Sequence, residues 1–344
     1  MKPMTSLKDI ETLKIDGGRL LHSATHEEIL SAATTDVYFL RTMDLLKNMN
    51  LDNSVVTAEV FARKSGVFCG IEEVKNILKD KDIEMWAVDE GETFEEKETL
   101  VRIKGAYRDF GVYETIILGS LASASGWASA SKEIKEACQD KTFLCFGARH
   151  VHPAVAPVME RAAVVGGATG ASCILAAKLM HIDASGTLPH AAMLIAGDTL
   201  DIAKVYDQIM PENHKRIVLV DTFKDEVEES IRIASVLKDR LFGIRLDTPS
   251  ERGGVTPHLV RELRSKLDHA GFHHVKIFVS GGLTPDKIRS LSAAGADSFG
   301  VGSYISGASA IDMTMDIKEV SGKAVAKRGR LPGLIDNPKL KKIK

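Results

Sequence analysis

Between residues 143 and 303, apolar, strand-like runs repeatedly end in polar groups suited to an anion. The run 143–146 ends in Gly147-Ala148-Arg149, and 217–220 ends at Asp221-Thr222. The run 242–246 carries Arg245 and ends at Asp247-Thr248. The run 275–279 ends in Ser280-Gly281-Gly282, and 298–301 ends in Gly302-Ser303. Helical patterns lie between most of them. A chain that places reactive residues after one strand following another builds a site at one end of a parallel barrel. The runs are nearly continuous in apolar residues, as expected when both faces of a strand are buried.

The rest of the chain fits around that barrel. Residues 24–50 predict a helix, with Thr25 as N-cap and Glu28 three residues on. Residues 55–62, 84–88 and 100–105 predict strands, 70–81 a short amphipathic helix, and 113–137 a long, small-residue helix built for close packing. This N-terminal part reads as α+β with a mostly antiparallel or mixed sheet. From about residue 141 the rhythm becomes strand, loop, helix. Helical faces are marked by Val227, Ile231, Ala234 and Leu237, and then by Leu259, Leu263 and Leu267. Thr284 and Pro285 open the next helix as N-cap and first residue. Residues 313–330 alternate around a predicted hairpin turn at Ser321-Gly322. They are expected to return to the N-terminal domain. The expected domains are therefore residues 1–140 with 313–344, and a barrel over 141–312. The basic end, with Lys339, Lys341, Lys342 and Lys344, reads as a solvated, mobile tail.

Composition excludes several classes. The 344 residues carry 45 Lys and Arg against 47 Asp and Glu, a formal charge of −2. That balance gives no footprint for nucleic acid or an acidic membrane. No 18-residue apolar stretch reads as a membrane span, and the polar start has no secretory core. A cytoplasmic enzyme is the expectation. Cys69, Cys138, Cys145 and Cys173 lack zinc spacing and read as small buried hydrophobes. His150, His152, His269, His273 and His274 have no evident metal partners.

Four groups of residues can carry chemistry. The glycines at 281–282 and 300–302 let backbone N–H groups approach a phosphate, although tight turns alone would use the same residues. Arg245 and Asp247 stand two apart on one strand and so share a face. With Asp221 they suit a phosphate that chelates a divalent cation; a structural ion pair explains only two of the three. His190 follows Gly186-Thr187-Leu188-Pro189 just before an apolar helix, which favours a neutral, nucleophilic imidazole. Its spacing alone serves a structural role equally well. Phe146 and Arg149, three apart at a strand end, suit a flat aromatic acid, or else a core ring and a surface charge.

Taken in order, these residues resemble the nicotinate phosphoribosyltransferase family of type II phosphoribosyltransferases. The motifs are Thr35-Asp36-Val37-Tyr38, Phe146-Gly147-Ala148-Arg149, Gly186-Thr187-x-x-His190, Val220-Asp221-Thr222, Arg245-Leu246-Asp247-Thr248, Ser280-Gly281-Gly282 and Phe299-Gly300-Val301-Gly302. The similarity covers about residues 30–330. It implies an irregular seven-stranded α/β barrel, an α/β domain formed by both chain ends, and a homodimer or higher oligomer whose neighbouring subunit completes the site. It implies the reaction of nicotinate with phosphoribosyl pyrophosphate, giving nicotinate mononucleotide and pyrophosphate, with Mg²⁺. In many members ATP hydrolysis is coupled through a phosphohistidine.

By that resemblance His190 is the phosphorylated residue. Phe146 and the partner subunit's Tyr38 sandwich the ring, and Arg149 faces its substituent. Asp221 lies near ribose or ring, and Arg245 and Asp247 hold pyrophosphate and Mg²⁺. Gly281, Gly282, Gly300 and Gly302 bind the 5′-phosphate. Thr187, Thr222, Thr248, Ser280 and Ser303 fall within or beside the motifs and are expected to bind substrate. Two departures stand out. The run from Thr248 through Pro249 to Gly254 differs from the usual early glycine, so Arg252 is added to the pyrophosphate loop. Asp183 precedes the His190 loop, where nicotinamide-using relatives keep a carboxylate. Nicotinamide and quinolinate remain alternative acceptors, and a flavin-phosphate barrel is the alternative from another class.

Overall fold

A computed structural model describes residues 2–344. The chain divides into two compact units, Met1–Ser129 with Ser309–Lys344, and Ala130–Ala308. The helix Glu114–Cys138 begins in the first unit and ends in the second. Among the described residues no helix is long and apolar enough to cross a membrane.

The first unit is built on a six-stranded antiparallel sheet. Its centre is the strand Val55–Ala62, buried at every position after Val55. Both neighbours, Thr99–Ala106 and Met313–Val320, run antiparallel to it. The second of these comes from the far end of the sequence, as the alternation predicted. Ser321 and Gly322 take φ of 50° and 76°, so the turn twists with its strands and sets Val320 opposite Lys323. Gly126 in the long helix meets Ser309: a Cβ there would lie 2.4 Å from the Ser309 carbonyl oxygen.

Two expectations fail in this unit. The helix over 24–50 is two helices, His26–Leu30 and Val37–Asn48. The predicted Thr25–Glu28 capping box is present. The chain breaks beyond it because Ala32 adopts a left-handed φ of 62°, a conformation no helix continues through. Thr115 then donates to the Asp36 carboxylate at 3.0 Å, fixing the restart. The basic end is likewise no mobile tail. Lys341–Lys342 pairs with Ala87 and Trp86 as the last strand of the sheet. Its lysines meet acids already on that edge: Lys342 with Glu84 at 2.6 Å, Lys339 with Glu98 at 2.9 Å, and Lys341 with Asp89. An unpaired sheet edge recruits such a segment, and composition alone does not reveal the edge.

The second unit has five parallel strands in the order Thr142–Cys145, Ser298–Val301, Lys276–Val279, Leu241–Leu246, Arg216–Leu219. The seven strands implied by resemblance are five regular ones and two irregular segments. Ala171 bridges Cys145 in parallel, and Ser185 donates its N–H to Ala171 O at 2.8 Å. Thr169 N–H donates to Phe143 O at 2.9 Å and Cys145 N–H to Gly170 O at 3.1 Å, so this segment follows the first strand for a short stretch. The five strands and the segments near 169, 183–187 and 211–215 line one cavity of about 790 Å³, so the sheet wraps around it. Outer helices start where predicted. The side chains of Thr256 and Thr284 accept from Leu259 N and Lys287 N; Leu263 and Leu267 face the core as expected, with Val260 rather than the half-buried Leu259 completing the face. Cys69, Cys138 and Cys145 are buried thiols, Cys173 is partly buried, and all are free.

Candidate active site

Arg245 is the next-to-last residue of its strand, so its side chain reaches the carboxyl end of the sheet. Its Nε donates to Ser280 Oγ at 2.9 Å, one terminal nitrogen to Thr187 Oγ1 at 2.7 Å, and the other to Asp247 Oδ2 at 3.3 Å. Three of its five N–H groups are so engaged. The guanidinium carbon lies 5.3 Å from the centre of the Phe146 ring. Burial pushes Arg245 below its ordinary value, opposed by Asp247 and Asp221. The expected pairing of Phe146 with Arg149 is therefore replaced. Arg149 sits exposed in the turn Ala148–His150, and its nearness in sequence does not set its direction.

Asp247 follows Arg245 out of the strand. Its Oδ1 accepts from Ser280 Oγ at 2.8 Å, and its backbone N–H donates to Asp221 Oδ2 at 2.7 Å. The Asp221 side chain is only 1% exposed, and its Oδ1 has no hydrogen-bond partner. Burial pushes this carboxyl above the ordinary range, against the pull of the Asp247 N–H and His190. His190 Nε2 lies 3.8 Å from that oxygen and equally 3.8 Å from Asp247 Oδ2. His190 Nδ1 meets Thr222 Oγ1 at 3.0 Å. His190 opens the helix His190–Ala196 and is 36% exposed, so the ring is held but accessible.

The glycine pairs separate into two kinds. Gly281 and Gly282 take φ of 93° and 57°, values that need glycine, and Lys287 Nζ donates to Gly282 O at 3.0 Å. Gly300 and Gly302 have no such φ; they are small because rings pack on them. A Cβ on Gly300 would lie 2.3 Å from Phe146 Cε2, and one on Gly302 2.8 Å from His150 Cε1.

His190, Asp221, Thr222, Arg245, Asp247, Ser280, Thr187 and Phe146 thus form one connected group. Thr248 and Arg252 turn elsewhere: both reach Glu226, at 2.9 and 3.2 Å. Ser303 is exposed at the start of the helix Ser303–Ser306. Tyr38 lies in the first unit, 52% exposed. Asp183 is exposed and lines the same cavity as Phe146 and Arg245. The sequence reading missed Glu226 and Lys287. Each sits within the first turn of a capped helix that follows a site loop, and that spacing was the available signal. No cluster of three or more metal-ligating side chains occurs among the described residues. The free Asp221 oxygen beside Asp247 instead matches a Mg²⁺ held by one or two carboxylates and by substrate oxygens.

A family model described as the quinolinate phosphoribosyl transferase N-terminal domain matches residues 36–125, and that for the C-terminal domain matches 127–316. The chain belongs to this type II phosphoribosyltransferase family. The C-terminal match contains every member of the connected group, and the N-terminal match contains Tyr38. The crystal structure of nicotinate-nucleotide pyrophosphorylase from Pyrococcus furiosus is 42% identical, with a TM-score of 0.88 over 92% of this chain and 82% of that one. Nicotinate phosphoribosyltransferase from Bacillus subtilis is 31% identical over 229 residues, 64% of this chain and 45% of the relative. The chain spans about half the length of the curated nicotinate enzymes it matches. Human nicotinic acid phosphoribosyltransferase, 16% identical with a TM-score of 0.70, shares the fold.

Proposed function

We propose that the protein transfers a phosphoribosyl group from phosphoribosyl pyrophosphate to nicotinate, giving nicotinate mononucleotide and pyrophosphate for NAD salvage. The observation that carries this reading is Arg245 beside the Phe146 ring, joined through Asp247 to the buried Asp221. A flat acid resting on Phe146 meets the free N–H groups of Arg245 through its carboxylate, so Arg245 takes the role first given to Arg149. The partner subunit's Tyr38 covers the other ring face in this reading. The ring nitrogen then attacks C1 of the ribose with its own lone pair. The C1–O bond breaks, pyrophosphate leaves with the electrons, and no proton needs removing. The protein's task is alignment and stabilisation of separating charge.

Asp221 and Asp247 would hold Mg²⁺, which when bound offsets charge on the pyrophosphate. The Gly281-Gly282 turn, with Lys287 against it, receives the 5′-phosphate. For His190 we propose phosphorylation by ATP. With Nδ1–H donating to Thr222, Nε2 keeps its lone pair for the γ-phosphorus, and the bond to the ADP oxygen breaks. The two carboxylates 3.8 Å from Nε2 stabilise the cationic ring that forms.

Quinolinate is the second reading, favoured by the description of the matching family model. Its transfer would also release CO₂ and place a proton on the ring. Initial rates with nicotinate, nicotinamide and quinolinate, each with and without ATP, separate the readings. Nicotinate turnover stimulated by ATP is expected, with His190→Ala losing ATP hydrolysis but keeping slow transfer. Turnover of quinolinate alone would overturn the acceptor, and turnover of none would overturn the reaction.

A further inference from the structure

The cavity does not stop at the connected group. It continues along the strands to their opposite, amino ends, where Thr142, Lys215, Phe242, Lys276 and Asp297 line it. Four residues of strand at roughly 3.3 Å each make a path of about 13 Å, longer than one single-ring acid.

The hollow follows from the residues that face it. Barrel interiors are ordinarily filled by layers of Val, Ile and Leu. Here the register sets Thr142 beside Ser298, and Leu144 beside Gly300. Hydroxyls and a hydrogen thus stand where branched side chains would close the space. Thr142 and Ser298 satisfy each other at 3.0 Å. Phe278, the register partner of Ser298 on the next strand, and Phe242 lie 6.0 Å apart with rings tilted at 47°. Gly243 permits this, since a Cβ there would lie 2.6 Å from Phe278 Cε2.

The charges at this mouth are uneven. Lys276 pairs with Asp297 at 3.1 Å, so each offsets the other. Among the described residues Lys215 meets no carboxylate; its ammonium lies over the Phe242 ring, 4.5 Å from the centre. His214 beside it is engaged with Tyr206 Oη at 2.7 Å. Aromatic walls, two hydroxyls and one unpaired cation are the complement of a planar aromatic carboxylate.

We propose that the amino-end mouth of the barrel is a second binding site for a planar aromatic carboxylate, continuous with the Phe146–Arg245 end but recognising its ligand through Lys215 and the Phe242–Phe278 pair. The inference does not rest on the proposed reaction, because it needs only the shape and charge of the mouth.

The test is calorimetric titration of the full chain with nicotinate, and with benzoate as a probe lacking the ring nitrogen. Two sites per chain are expected for nicotinate. Lys215→Glu should weaken one of them, and benzoate binding, roughly ten-fold, the scale of one charge contact. Arg245→Gln should weaken only the other. Lys215 is exposed, so its replacement leaves the fold intact, and an unchanged melting temperature checks this. A single site indifferent to Lys215→Glu would overturn the proposal. So would one site weakened equally by both substitutions. If nicotinate is not the acceptor, the Arg245 site drops out of this titration and the site sensitive to Lys215→Glu remains.

Discussion

Asp221→Asn should make the protein more stable and less active at once. The Asp221 side chain is 1% exposed; one oxygen accepts from the Asp247 N–H at 2.7 Å and the other accepts nothing. An unsatisfied buried polar group costs about 1–3 kcal/mol, more when charged. Asparagine keeps the acceptor for the Asp247 N–H and removes the charge. A gain of about 1 kcal/mol is therefore expected, or about 2 °C in melting temperature for a chain of this size. The pH dependence fixes the sign. Burial raises this carboxyl above its ordinary 3.8, so the folded state holds the proton more tightly than the unfolded chain. Its contribution is fully present below 3.8 and is lost as pH rises through the raised value. The variant should gain on the wild type as pH rises from about 4 and keep its advantage at pH 8. Activity should move the other way, because the same oxygen is the free acceptor of the site. A fall in kcat/KM of about a hundred-fold is expected, typical of losing one preorganised electrostatic group. Calorimetry at pH 4 and 8, with pyrophosphate release at pH 8, reads both effects. A lower melting temperature at pH 8, or unchanged kcat/KM, would refute the reasoning.

Glu114 gives a second pH effect, in the first unit. Burial beside Asp316 pushes its carboxyl up to about 7 against the pull of Lys327, with Tyr107 and Tyr38 also near. Stability should fall as pH rises from 4.5 through 7, and Glu114→Gln should flatten that slope in melting curves. Deleting residues 339–344 should cost about 2–3 kcal/mol in urea unfolding, from three backbone hydrogen bonds to Met85, and promote aggregation through the bared edge. Gly300→Ala puts a methyl into Phe146 and should cost about 1–3 kcal/mol while raising KM for the pyridine acid more than it lowers kcat; an unchanged KM would separate Phe146 from the ring.

Strand ends and helix starts were legible because their signals are local. Thr256 and Thr284 cap helices through their own side chains, and continuous apolar runs mark buried parallel strands. The return of residues 313–320 was legible for the same reason: alternation marks a half-exposed strand. What could not be read depends on contacts distant in sequence. The lysine-rich end looks solvated until the acids of the neighbouring strand stand beside it. Phe146 and Arg149 look paired because they are three apart, yet Arg245, a hundred residues away, takes the place by the ring. Gly300 and Gly302 looked like phosphate turns, yet their φ values are ordinary and rings fill the space above them. Glycine in a sequence marks close approach, and only packing tells which partner approaches.

The charge of the connected group constrains what can enter it. Arg245 supplies one positive charge against two from Asp221 and Asp247, and the strongest repulsion falls on the least solvated oxygen. A pyrophosphate ester arriving bare would meet that excess of negative charge at close range, where the interior screens poorly. On the proposed reading, a divalent cation carried in by the substrate would relieve it, while a phosphoryl group on His190 would add negative charge beside the two carboxylates and sharpen the demand for that cation. The geometry gives each its own atom, the unpartnered Oδ1 of Asp221 for the cation and Nε2 of His190, 3.8 Å from both acids, for the phosphoryl group. Because Nε2 lies equally far from both carboxylates, a change of charge there acts on the pair rather than on one acid. If His190 is phosphorylated as proposed, its state and the affinity for a metal-bound substrate would be coupled through the same two oxygens, giving ATP hydrolysis a physical means to act on phosphoribosyl transfer.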